Sequence, residues 1–271
     1  MTIDKEAVRK SGMMMQGDSI PDRMVISLKG KGALYKGDLM MLEMIANANW
    51  TRPIYVATTV GSENYMNLGD NFVQEGLANR ITPFTTNVNG RVVPGMRNFD
   101  TEKTYDNVMH RFKFGGANTP GIYFDETVMR MCYTHRRLMA QLALHLVEEG
   151  QNEKAAEVLA RAEQEFPQAN VPHDYQGGSL DIIRSYVAIG QNDKAREILE
   201  LMWEKSTQYV NYYCSLSPAR FSAAQNDCMY HLYIMNHLAD MASNIDEKLG
   251  SSYTNRLNEL AGAYSARGGQ F

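Results

Sequence analysis

Gly150-Gln151-Asn152-Glu153-Lys154-Ala155 returns forty residues later as Gly190-Gln191-Asn192-Asp193-Lys194-Ala195, identical at five of its six positions. The flanks are copied as well. Leu142 and Leu146 precede the first hexapeptide, and Ile182 and Tyr186 precede the second; Ala155 and Leu159 follow the first, and Ala195 and Leu199 follow the second. Apolar residues four apart on either side of a glycine are the pattern of two helices meeting at a tight turn. A copied helix–turn–helix marks a stacked array, in which each unit buries its apolar stripe against the next.

Working outward, Asp125 opens the helical half, and Val128, Met131, Cys132, His135, Leu138, Leu142 and Leu146 form one stripe at three- and four-residue steps. Gly150 stops that helix and Asn152 is placed to cap the next. Ala155, Leu159, Ala162 and Phe166 form its buried face before Pro167 ends it. Beyond the second copy, Ser217-Pro218 starts a further helix with Cys228, Leu232, Met235 and Ala239 on one side. A last helix carries Tyr253, Leu257, Leu260 and Tyr264. These two read as the terminal helices that an array needs to cover its end.

The half resembles the tetratricopeptide repeat. Its turn glycines are Gly150 and Gly190, its early small residues Ala155 and Ala195, its later small residue Ala162 and its closing proline Pro167. It departs from that family in spacing, forty residues against about 34, with the excess in Ala169 to Gly178. The second copy also has Thr207 for the proline and Met202 for the later small residue.

Upstream the pattern is different. Residues 1–23 read as a loose polar lead-in. Met24 to Leu28, Ile54 to Val60 and Ile81 to Phe84 read as strands, with helical segments at Leu39 to Ala46, capped by Asp38, and at Glu63 to Asn79. Strand–helix alternation predicts a small α/β domain over 24–120 with right-handed crossovers. Residues 85–121 read as irregular connection, with one helix at Thr104 to Phe112. The fold class is therefore α+β overall: a small α/β domain followed by an all-α tetratricopeptide-like array over 121–271.

Composition narrows the function. The chain has 271 residues, 44% hydrophobic and 21% charged, with 27 Lys and Arg against 31 Asp and Glu. Residues 1–120 carry 14 basic and 12 acidic side chains, a net of +2; residues 121–271 carry 13 and 19, a net of −6. Neither half has the basic surface of a nucleic-acid binder. No apolar run approaches the ~18 residues that suggest a membrane span. Cys132, Cys214 and Cys228 are too few and too widely spaced for a disulfide framework.

Asn49-Trp50-Thr51-Arg52-Pro53-Ile54-Tyr55-Val56-Ala57 is similar to a signature in a bacterial family of multi-spanning membrane proteins related to protein O-mannosyltransferases. In that family it follows an apolar helix, as Leu39 to Ala46 does here. It precedes a stretch like Leu68-Gly69-Asp70, Glu75-Gly76-Leu77-Ala78 and Arg80-Ile81-Thr82-Pro83. The resemblance covers roughly residues 24–84 by motif and the rest by architecture. It implies an extracytoplasmic region attached to the membrane only through an N-terminal part missing here, with the catalytic acid of sugar transfer also missing. On that reading the chain is a non-catalytic accessory region that binds a protein partner, or a glycan or glycan acceptor. Without it, the expected location is cytoplasmic.

Candidate sites follow from side-chain chemistry. Trp50, Arg52 and Tyr55 combine aromatic faces with a planar cation, the equipment of a sugar- or peptide-binding groove, against the plainer reading of strand-entrance packing. On the array, Arg136, Gln141, His145 and Arg184 of the inner helices and His173 and Tyr175 of the insertion are the candidate contacts for an extended partner. Cys132 with His135 and Cys228 with His231 have the atoms of a zinc site but lack a Cys-x₂₋₄-Cys knuckle. Core packing is the better account of them. Gly30-Lys31-Gly32 lacks the spacing of a phosphate loop. Asp18 with Asp22, or Asp70 with Glu75, supplies paired carboxylates for the alternative of a carbohydrate-active hydrolase. A purely structural stack is the third alternative. The sequon Asn49-Trp50-Thr51 sits beside a strand start, a poor place for a glycan. No cofactor and no metal are expected.

Overall fold

The computed structural model describes residues 1–14, 18–85, 87–88, 91–92 and 98–270, with backbone alone at 87–88 and 91–92. The chain divides into two compact units, Met1–Phe112 and Lys113–Phe271.

In the first unit, the opening residues are not a loose lead-in. Asp4 caps helix α1 (Lys5–Lys10) by accepting the Glu6 and Ala7 N–H groups, each at 3.0 Å. Ile3 N–H donates to Asp22 O, and Met24 N–H to Met1 O. Ile3, Val8 and Met13 then join the core with Met24, Ile45, Trp50, Val56, Met66, Leu68, Phe72 and Ile81. Apolar side chains in these polar-looking residues outweigh their composition. Helix α2 (Lys36–Ala48) begins before Asp38, which accepts the Tyr35 N–H at 2.9 Å from within the first turn. Only part of α2 faces inward: Ile45 and Ala48 are buried, whereas Leu39, Met40 and Met44 are exposed.

The sheet is antiparallel, so the crossovers expected from the alternation are absent. Its strands β1 (Tyr55–Ala57), β2 (Phe72–Gln74) and β3 (Ala78–Ile81) lie in the order β1–β3–β2, with Val56 opposite Asn79 and Val73 opposite Arg80. Met24 to Leu28 forms no strand, and Glu63 to Asn79 is no α-helix, its helical turns being only the 3-10 turns Ser62–Asn64 and Gly69–Asn71. Gly76 is the reason for the second difference. Its φ of +89° is a hairpin conformation, and it turns the chain between β2 and β3 where a helix was expected. Backbone at 87–88 (β4) and 91–92 (β5) pairs as a short antiparallel ladder. Helix α3 (Thr101–Asp106) starts three residues before the expected Thr104, because Asp100 caps it through the Lys103 N–H. It runs on as a π turn to Arg111.

The second unit is built of helices, with irregular stretches at 113–125 and 166–174. Its first residues, placed by composition with the domain before it, belong here. Asn170 Nδ2 donates to Ala117 O at 3.0 Å and Thr119 O at 2.8 Å, and the Phe114 ring packs edge-on against Phe166. Helices α4 (Glu126–Glu148) and α5 (Asn152–Glu165) form one hairpin, and α6 (Ser179–Ala188) and α7 (Asn192–Ser215) the next. The two turns have the same geometry. At Gly150 (φ +75°) the Gln151 N–H reaches Leu146 O, and at Gly190 (φ +79°) the Gln191 N–H reaches Tyr186 O, each closing a Schellman motif. Asn152 does not cap α5; it is the first helical residue, and Gln151 precedes it without a side-chain capping bond. Val128 and Met131 lie outside the expected stripe and are exposed.

After a single turn, α8 (Pro218–Ala223), the helices α9 (Gln225–Ile245) and α10 (Glu247–Ala266) pair as a third hairpin and not as separate covers. Asp246 replaces the glycine turn and caps α10 through the Lys248 and Leu249 N–H groups. Gly250 is the fourth residue of α10, as Ala155 and Ala195 are of α5 and α7. A Cβ on Gly250 would lie 2.6 Å from Ser243 Cα, so the close helix crossing that alanine permits in two hairpins demands glycine in the third. The buried positions three and seven further on also correspond: Val158 and Ala162, Ile198 and Met202, Tyr253 and Leu257. Three helical hairpins therefore share one packing scheme, with α4 on α6 and α6 on α9.

Candidate functional site

Helix α7 is ten residues longer than α5, and the excess carries aromatic side chains at helical spacing: Tyr209, Tyr212 and Tyr213. Helix α9 carries Tyr230, His231, Tyr233 and His237, of which His231 meets them. Tyr209 stacks flat on His231, with centroids 4.4 Å apart at 8°, and Tyr213 stacks more loosely on both, 6.1 Å from Tyr209 and 6.3 Å from His231. Tyr175, from the insertion, meets Tyr230 and Tyr233 edge-on at 6.0 and 6.2 Å. His237 closes the row edge-on to Tyr233. The rings are not hidden: Tyr209, Tyr212, Tyr233 and Tyr175 are 41%, 58%, 47% and 37% exposed. An open depression beside them is lined by Lys205, Gln208, Tyr209 and Tyr212.

One ion pair anchors this face. Lys205 Nζ lies 2.8 Å from Asp174 Oδ2, tying α7 to the insertion. Burial alone pushes the Lys205 ammonium down, and the Asp174 carboxylate more than reverses this, so the group sits above its ordinary pKa and stays charged. The His231 imidazole is pushed below its usual value by burial, then by Lys205. The platform is thus built of tyrosine and histidine rings, with the Lys205–Asp174 ion pair at its edge.

Most inner-helix candidates are elsewhere, and the insertion explains why. Residues 167–178 fold back on α4, where the one-turn helix Tyr175–Gly177 packs against it. Gly178, at φ +74°, sits so close that a Cβ would lie 3.0 Å from Arg137 Cα. Arg136 is consequently 1% exposed and presents no group to a partner. Its guanidinium donates to Phe166 O (2.7 Å), Pro172 O (3.0 Å) and Val171 O, holding the insertion's path. Burial lowers its pKa to about 10. His173 is also enclosed, with Nδ1 3.0 Å from Ser179 Oγ, and burial followed by the Arg136 charge drives its pKa down to about 3. Gln141 and His145 are half-buried on α4, His145 lying 3.4 Å from Glu148. Arg184 is exposed and donates to Asp181 at 3.0 Å. Of the sequence candidates, the structure brings Tyr175 alone into the aromatic face. The spacing of Tyr209, Tyr212, Tyr213 and of Tyr230, Tyr233, His237 was the signal available for the rest.

In the first unit, Trp50 is 5% exposed, with φ +69°, and packs in the core. The void that it lines with Arg52, Pro53 and Ile81 measures about 10 Å³, at best the room of one water, so no sugar fits. Arg52 is exposed. Tyr55 lies apart, its hydroxyl donating to Glu75 Oε2 at 2.6 Å; burial, and then this bond, raise its pKa to about 12. These three residues do not share a groove. Glu75 does not face Asp70 as a catalytic pair. It is enclosed by Lys103 at 2.8 Å and Arg80 at 3.5 Å, and Lys103 also reaches Asp100 at 3.0 Å. Asp22 pairs with Lys5. His135 stacks against Phe166, while Cys132 is a buried thiol raised by burial. Among the described residues no three His, Cys, Asp or Glu side chains converge to hold a metal, and no helix is long and apolar enough to cross a membrane.

Residues 146–213 match the family model of the tetratricopeptide repeat, a region running from the end of α4 into the aromatic extension of α7. Residues 1–103 match the model described as TMEM260-associated domain 2, which covers most of the first unit. No curated protein and no solved structure matches the chain. The array is thus similar to a repeat whose general role is to dock other proteins along extended surfaces, and the first unit is similar to a domain associated by name with a membrane protein.

Proposed function

We propose that this chain is a non-catalytic docking region, and that the tyrosine-lined face of α7, α9 and the insertion receives an extended segment of a protein partner. The observation that carries the reading is the exposed, mutually braced row of rings. Neighbouring rings already hold Tyr209, Tyr233 and Tyr175, so little side-chain entropy remains to be lost on binding. Aromatic side chains of this kind dominate interface energetics when a partner covers them.

The wider setting is part of the same proposal. The signature at Asn49 to Ala57 and the match of the first unit support an accessory role beside a membrane glycosyltransferase-like protein, on the extracytoplasmic side. There the docked segment is an acceptor polypeptide or a neighbouring subunit.

Selection of a displayed random-peptide library on the full chain tests the docking face. The selected peptides bind the Tyr209→Ser, Tyr212→Ser, Tyr233→Ser triple variant at least ten-fold more weakly, with its helical content and melting midpoint unchanged. Peptides that bind both proteins equally place docking elsewhere. Topology reporters fused at the C-terminus of the whole gene product test the setting, and a cytoplasmic readout overturns it.

A further inference from the structure

Two of the three cysteines have been brought together by the third hairpin. Cys214 is in the last turn of α7 and Cys228 in the first turn of α9, two helices that pack against each other. The short helix α8 loops out between them and returns the chain to the same place. The Cys228 thiol is fully buried and that of Cys214 half-buried, and their neighbours meet: the Tyr213 ring, next to Cys214, stacks on that of His231, one turn from Cys228. The end of α10 holds both segments, the Tyr264 hydroxyl donating to Gln225 O at 3.3 Å and the Arg267 guanidinium to Leu216 O. Cys132, on α4, is remote in the stack and buried. Among the described residues neither thiol belongs to a group of three His, Cys, Asp or Glu side chains that could hold a metal. Tyr213, the residue before Cys214, belongs to the aromatic face, so the pair sits at the base of that surface.

We propose that Cys214 and Cys228 form a thiol–disulfide modification site, an intramolecular bond that ties the end of α7 to the start of α9. The co-reactant is a small or protein disulfide. The Cys214 thiolate attacks one of its sulfurs and the other leaves as a thiolate, giving a mixed disulfide on Cys214. The Cys228 thiol then loses its proton, attacks the Cys214 sulfur and expels the second half of the reagent. Two cysteine thiols have lost two protons and two electrons, and the reagent disulfide has become two thiols. Cys214 must react first, because burial and its neighbour hold the Cys228 thiol well above its ordinary pKa. The inference is independent of the docking proposal.

The test uses the full chain, oxidised with excess oxidised glutathione, blocked with a maleimide and digested with trypsin. Cleavage after Lys205, Arg220 and Lys248 places Cys214 in 206–220 and Cys228 in 221–248. The expected product is those two peptides joined, two mass units lighter than their sum, with Cys132 carrying the maleimide once the chain is unfolded. Cys228→Ser is expected to stop at a glutathionylated 206–220 peptide. Wild-type protein that yields only that glutathionylated peptide, or free thiols at both positions, overturns the assignment. Since the readout is covalent linkage, its failure leaves the peptide-binding test standing.

Discussion

Replacing Arg136 by methionine tests whether the buried guanidinium holds the insertion or merely tolerates burial. Two opposed terms decide the sign. The fall in its pKa from 12.5 to about 10 is caused chiefly by burial, and at ~1.4 kcal/mol per unit that penalty is about 3 kcal/mol. Because the folded value is the lower one, the penalty is present at neutral pH and is relieved only as pH rises through 10. Methionine removes it. Against this stand the carbonyls of Phe166, Val171 and Pro172, which Arg136 serves in an interior closed to water. Each buried carbonyl left without a donor costs about 1–3 kcal/mol, roughly 6 kcal/mol for three. The net expectation is a loss of about 3 kcal/mol. For a unit of this size that lowers the thermal midpoint by roughly 6–12 °C, read from the helical signal at 222 nm at pH 7. Lysine, keeping the charge but not the fork, falls between. A methionine variant as stable as the wild type would show that burial costs as much as the carbonyl bonds contribute, and the account of the insertion as pinned by Arg136 would fail.

Other perturbations test other links. His173 has a folded pKa near 3 against 6.5, so stability is complete above pH 6.5 and falls as pH drops toward 3, by up to ~1.4 kcal/mol per unit; an NMR titration in which the ring protonates above pH 5 in the folded protein contradicts this. Gly178→Ala places a Cβ against α4 as well as straining a left-handed residue, whereas Gly190→Ala, with open space around it, meets only the strain. The expected losses are about 3 and about 1 kcal/mol by urea unfolding, and equal values would deny the close approach. Glu75→Ala leaves Arg80 buried beside no carboxylate and costs about 3–5 kcal/mol in the unfolding of the first unit.

Periodicity carried the array. The copied glycine turns, the stripe from Ala155 to Phe166, and the faces at Cys228 to Ala239 and Tyr253 to Tyr264 all stand in the structure where three- and four-residue spacing puts them. That information is local to each helix. The third hairpin escaped because its turn is made by Asp246 and its crossing by Gly250, so neither matches the glycine and alanine of the other two. In the first unit local signals competed. The β-branched run at Ile54 and the segment at Ile81 are strands in part, but Gly76 forms a hairpin that residues 63–79, taken alone, read as a helix. Pairing in a sheet is set by distant partners, such as Tyr55 with Arg80, and no window along the chain contains both.

The same contrast explains the site. Helix spacing placed Arg136 on the inner face of its hairpin, where tetratricopeptide arrays meet their partners. What it could not register was that residues 167–178 lie over that face, an outcome decided by Gly178 and by three backbone carbonyls far along the chain. The insertion thereby performs two functions in the fold. It takes up the donors and the surface that α4 would offer to a partner, and it delivers Tyr175 to the rings of α9. The extra ten residues of α7 extend that surface on the opposite side. An array with forty-residue spacing is therefore not a tetratricopeptide stack with a loop added; the added residues move its accessible face from the first hairpin to the last two.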